Sequence, residues 1–179
     1  MLTKPRIYVA SLSDYNAGRL HGVWIDADRG SDHIWQEISA MLKSSTEPDA
    51  EEWAIHDFEG FGSLRLAESE SIDAVAELAE LIDEHGEIFA ELVSHFGELP
   101  TGMDDAKRWM NDGYHGPYES VQKYVEDFID DCYGDVLSKL PDIIKYHIDY
   151  EGIARDFELG GDIFTIELNG ETHVFSGNI

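Results

Sequence analysis

A single cysteine, twelve basic residues and no long apolar run are the scarcities that bound this chain of 179 residues. With Cys132 alone, an internal disulfide and a multi-cysteine zinc centre are excluded. Twelve Lys and Arg stand against thirty-eight Asp and Glu, for a formal net charge of −26. So few cations argue against direct binding to nucleic acid or to anionic lipid, because both need a cationic surface. No stretch approaches the roughly 20 apolar residues of a membrane span, and no basic segment followed by an apolar one opens the chain. The expectation is a cytoplasmic protein with neither nucleic acid nor membrane among its partners.

The signatures of catalysis are missing too. Gly60-Phe61-Gly62-Ser63-Leu64-Arg65 begins like a dinucleotide loop but has arginine where a third glycine is needed. There is no Gly-Lys-Ser/Thr phosphate loop, no nucleophile elbow and no His-Glu-x-x-His. The eight histidines (21, 33, 56, 85, 95, 115, 147 and 173) show no recurrent ligand spacing. Glu91 and His95, one helical turn apart, read as a surface hydrogen bond, since zinc needs three or four convergent ligands. No segment has the spacing of a calcium loop. With so many acids, some carboxylate pair of the kind glycoside hydrolysis uses always exists, so such a pair carries little information. No catalytic residue, no cofactor and no metal ligand is expected. Cys132 reads as a small core residue, and Trp24, Trp35, Trp53 and Trp109 read as core fillers.

What the chain does have is a composition fit to pack, 42% hydrophobic and 11% aromatic, and acidity concentrated in one region. Residues 1–30 carry four bases and three acids, whereas Glu47 to Glu98 hold sixteen of the thirty-eight carboxylates and one base, Arg65. Inside that region Ser71 can cap a helix whose apolar residues Ile72, Val75, Ala79 and Ile82 recur at the helical period, with Gly86 as its stop. On the other face Asp73, Glu77, Glu80 and Glu84 line up in one row with no lysine or arginine in the helix to answer them. Like charges at these spacings destabilise a helix by roughly 0.2 to 0.5 kcal/mol per pair, so fold stability alone does not favour the pattern. The charges are about 5.5 Å apart, of the same order as one phosphate per roughly 3.4 Å along a DNA strand.

The rest of the chain gives an α+β class. Strands are expected at Arg6–Leu12, Gly22–Asp26 and Trp53–His56, with 13–19 and 57–62 as loops. A helix capped by Ser31 or Asp32 would turn Ile34, Ile38 and Met41 or Leu42 inward. Glu87 to Phe96 offers a second helix of the acidic middle, and 103–111 a short third. A helix from about Tyr118 to Cys132 would put Val121, Tyr124, Val125, Phe128, Ile129 and Cys132 inward with Asp127, Asp130 and Asp131 outward. Pro141 suits the first turn of a helix covering Ile143, Ile144, His147 and Ile148 and extending toward Phe157. Asn169-Gly170 between alternating runs marks a closing hairpin, 162–168 with 171–175. Three domains are expected: a β-rich N-terminal α+β domain (1–62), an acidic helical domain (63–113) and a C-terminal α+β domain (114–179).

Three blocks are distinctive: Arg6 to Asp26 (RIYVASLSDYNAGRLHGVWID), Glu51 to Phe61 (EEWAIHDFEGF) and Leu140 to Asp156 (LPDIIKYHIDYEGIARD). In these the chain resembles the ArdA antirestriction proteins, which are carried by plasmids and other mobile elements. The resemblance implies a protein that looks like double-stranded DNA to type I restriction–modification enzymes and occupies their DNA-binding channel. It implies an elongated, curved homodimer of small domains, with the enzyme's methyltransferase core as partner. The third block is similar to the family's antirestriction motif, which points to Leu140, Pro141, Asp142, Tyr146, Asp149, Tyr150, Arg155 and Asp156. Charge, rather than any alignable pattern, points to Asp73, Glu77, Glu80, Glu84, Glu87, Asp127, Asp130 and Asp131 as the DNA-like surface. Two other readings stand beside this one: a carboxylate-based hydrolase, and a solvated acidic structural or interaction protein, for which charge would be spread evenly along the chain.

Overall fold

Alternation in Arg6–Ser11 (β1) sends Ile7 and Val9 to one face, where both are fully buried, and Arg6 and Tyr8 to the other. In the computed structural model, which describes residues 3–179, β1 is the middle strand of an antiparallel sheet. Its neighbours are β2 (Gly22–Asp26) and β3 (Trp53–Glu59), in the order β2-β1-β3. The short helix α1 (Leu12–Asn16) follows β1, and Ala27–Arg29 form a 3-10 turn. Helix α2 (Ser31–Lys43) buries Ile34, Ile38 and Met41. Its N-cap is Gly30, and Ser31 is already helical, so the expected side-chain cap is not made.

Helix α3 (Ile72–His85) starts as expected, with the Ser71 hydroxyl accepting from Ala74 N at 3.4 Å, and stops at Gly86, whose φ of 84° favours glycine. It packs against α2, the 3-10 turn and α4 (Glu87–Phe96). The Glu91 carboxylate accepts from Ser63 N at 2.7 Å and from the Ser63 hydroxyl, tying the 60–63 loop to α4.

The chain divides into two compact units, 1–106 and 107–179, and the division falls within α5 (Thr101–Asp112). The 62/63 boundary expected from sequence lies inside the first unit, between β3 and α3. In the second unit β4 (Tyr114–Tyr118), β5 (Ile163–Leu168) and β6 (Glu171–Ser176) form an antiparallel sheet in the order β4-β6-β5. Asn169 and Gly170 both have positive φ, 54° and 85°, as the two-residue hairpin turn requires. Helices α6 (Val121–Leu137) and α8 (Tyr150–Gly160) pack together around Tyr124, Val125, Ala154, Ile163 and Val174.

Among the described residues the class is α+β, with eight α-helices and two three-stranded sheets. None of these helices is long and apolar enough to cross a membrane. Further local expectations need correction, among them residues 13–16, expected as loop, which belong to α1. Strand β3 runs on to Glu59, through residues expected to be loop. Tyr114–Tyr118 is a strand, so α6 begins at Val121. The helix expected from Pro141 is two: α7 (Asp142–Lys145), then α8, started afresh by Asp149, whose carboxylate accepts from Gly152 N at 2.9 Å. Cys132 is exposed, not inward, because α6 turns only Tyr124, Val125 and Leu137 fully inside.

Candidate functional site: an exposed carboxylate surface

The physical reason for the acidic row is the one-sidedness of α3. Seven of its residues, Ile72, Ala74, Val75, Ala76, Leu78, Ala79 and Ile82, are buried, and this leaves a narrow solvent face. Asp73, Glu77, Glu80 and Glu84 all occupy that face and are exposed. The helix thus brings four of the expected surface residues into one array, held by a fully packed underside. The Glu80 carboxylate comes near Gly30, at the N-terminal end of α2, which lacks a side-chain cap. A helix dipole favours an anion there. Glu87 does not join the row. It is half-buried in the first turn of α4, and its Cγ lies close to Gly62.

Sequence reasoning missed how the row is flanked. Lys4 pairs with Asp28 at 2.8 Å, and its ammonium is held above the usual lysine value first by that bond and charge, then by Asp83 and Asp26. Asp83 therefore extends the acidic field beside α3, and one base from the nearly neutral N-terminal stretch lies within it. Asp83 was legible, one residue from Glu84. Asp26 and Lys4 come close only through the fold.

Asp127, Asp130 and Asp131 lie on α6, in the other unit. Asp130 and Asp131 are exposed. Asp127 is half-buried and makes an ion pair with Lys123, one turn away, which offsets its charge locally. Lys123 is held above its ordinary value by that bond, with Glu126 and Asp130 adding to it.

The residues pointed to in the third block have divided roles. Asp149 caps α8, and Tyr150 packs on the core with α6. Leu140 is half-buried in the turn before α7. Pro141, Asp142, Arg155 and Asp156 are exposed. Tyr146 is 77% exposed and its neighbour Ile143 76%, and Ile144, Val136 and Tyr133 are also open.

In the first block, Asp14 and Arg19 are taken up internally. Asp14 is buried and accepts from the Ser45 hydroxyl at 2.6 Å and from Arg19, while Arg19 also pairs with Glu47. Trp24 and Trp35, expected in the core, are 38% and 43% exposed. Trp35 rests edge-on against Trp53, with ring centroids 5.5 Å apart. Among the described residues no group of three or more His, Cys, Asp or Glu side chains is arranged to hold a metal ion.

A family model described as Antirestriction protein (ArdA) matches residues 7–170. No curated protein matches the chain.

Proposed function

The chain belongs to the ArdA antirestriction family, and from that premise we propose that it inhibits type I restriction–modification enzymes by imitating double-stranded DNA within their DNA-binding channel. The observation that carries the reading is the exposed row Asp73, Glu77, Glu80 and Glu84 on a helix whose opposite face is packed. An enzyme that binds duplex gains free energy by replacing condensed cations around phosphates with its own lysines and arginines. Carboxylates fixed at about 5.5 Å along a helix offer the same exchange, without a phosphodiester to cleave or a base to methylate. Inhibition is by occupancy, and no catalytic step is required of this chain.

In this reading Asp130 and Asp131, the open charges of α6, are further carboxylates offered to the target, while Glu87 stands outside the row and Asp127 is offset by Lys123. The partner is the methyltransferase core, which carries the DNA-reading subunit. The open apolar side chains from Tyr133 to Tyr146 are assigned to a second copy of the chain, since an acidic mimic has no use for them in a cationic channel. A two-fold dimer would double the length of the anionic track with no new sequence.

The test is cleavage of unmodified DNA by a purified type I enzyme, with increasing amounts of this protein. The expected result is inhibition that weakens as salt rises and is largely lost when Asp73, Glu77, Glu80 and Glu84 are all made amides. Full inhibition by the amide variant would remove this surface from the mechanism.

A further inference from the structure

We propose that the outer face of the N-terminal sheet is a separate docking surface, built to take arginine side chains from a cationic protein. Pairing across β2-β1-β3 sets two rows on this face, Asp26–Arg6–Glu59 and Trp24–Tyr8–Asp57. Ile7, Val9 and Ile25 occupy the opposite, buried face. Asp26, Asp57 and Trp24 are exposed. The Trp24 and Tyr8 rings are 5.5 Å apart. The tip of the Tyr8 ring lies over Gly22, where an added Cβ would meet the Val9 carbonyl oxygen first and then the Tyr8 ring at 2.8 Å.

The face already holds one guanidinium. Arg6 sits 4.8 Å from the Trp24 ring centroid and donates its Nε hydrogen to Glu59. Aromatic faces bordered by carboxylates are what a guanidinium seeks, since its planar cation stacks on a ring while its N–H fork meets an acid. Three acids against one arginine leave the face net negative. That favours a cationic partner and disfavours a second copy of a chain of net charge −26. Phosphates of duplex DNA offer no exposed ring, so this surface would add a component of binding that DNA cannot supply. That the partner is the cationic channel of a restriction–modification enzyme rests on the preceding reading; the arginine chemistry does not.

The test titrates the full chain, Trp24→Ala and Trp24→Phe with octa-arginine and octa-lysine peptides at physiological salt. The parent should bind octa-arginine about threefold more tightly than octa-lysine. Trp24→Ala should lose that preference and Trp24→Phe should keep most of it, both with unchanged circular dichroism. Equal binding of the two peptides, or a preference that survives Trp24→Ala, overturns the proposal. A parallel titration with a type I methyltransferase core separates the two readings. No binding by the parent there fails the antirestriction mechanism alone, while binding unaffected by Trp24→Ala fails the placement of this face in that complex.

Discussion

His173 lies in the middle strand of the C-terminal sheet with its Nδ1 2.7 Å from the Tyr114 hydroxyl. Burial holds its imidazole below the ordinary value of 6.5, against an opposing pull from Glu171 and Glu167, and burial lowers His115 likewise. A histidine whose pKa is depressed by folding binds its proton more readily in the unfolded chain. The second unit should therefore lose stability as pH falls below about 6.5 and through the lowered folded values. His173→Gln should flatten the difference in urea midpoint between pH 7 and pH 5 relative to the parent; an unchanged slope would remove His173 as its source. Asp14 has the same sign at a lower pH. Hydrogen bonds from Ser45, then Ser11 and Arg19, outweigh desolvation and hold its carboxyl below 3.8, so its contribution is present above that value and lost as pH falls through the folded one. Gly177 is a different case: a Cβ there would overlap the Gly161 carbonyl oxygen, and the atoms it meets are all backbone. Gly177→Ala should destabilise by about 2 to 3 kcal/mol, read as a lower urea midpoint.

Elements were legible in the sequence where one local signal decided them. The Asn169-Gly170 hairpin and the Ser71 to Gly86 limits of α3 needed only turn and cap chemistry, and both are present. Strand β4 was not legible, because His115-Gly116-Pro117 reads as a turn, and it is the pairing with Val174, His173 and Thr172 that makes it extended. The break between α7 and α8 follows from Asp149 turning its carboxylate back to Gly152 N, a choice that helical periodicity does not register. The acidic row was readable as a pattern, but its flanking by Lys4, and the pairing of Asp127 with Lys123, depend on which side chains the fold brings near. Because the row's own repulsion costs about 1 kcal/mol, and Glu80 and Asp73 return some of that as favourable helix-end charges, amide substitution at all four positions should change stability by no more than about 1 kcal/mol. Affinity for the target should fall by at least tenfold in the same variant, with a shallower salt dependence. Loss of both together would mean the row is there for folding.

At the scale of the whole molecule, the charge is arranged rather than merely abundant. Residues 1–30 are almost neutral, whereas Glu47 to Glu98 hold sixteen carboxylates and one base, and five open apolar residues lie between Tyr133 and Tyr146. If those residues join two copies, Ile143→Asp with Tyr146→Asp should convert the protein from dimer to monomer in sedimentation, with unchanged circular dichroism. A parent chain that is already monomeric at micromolar concentration would overturn that assignment. The central claim is that this chain and duplex DNA compete for one channel. It is tested most directly by holding the protein on an immobilised type I methyltransferase core and adding unmodified duplex that carries the enzyme's recognition sequence. Excess duplex should displace the protein completely, with a midpoint that moves in proportion to the amount of protein present. A complex that stays bound under saturating duplex would contradict it.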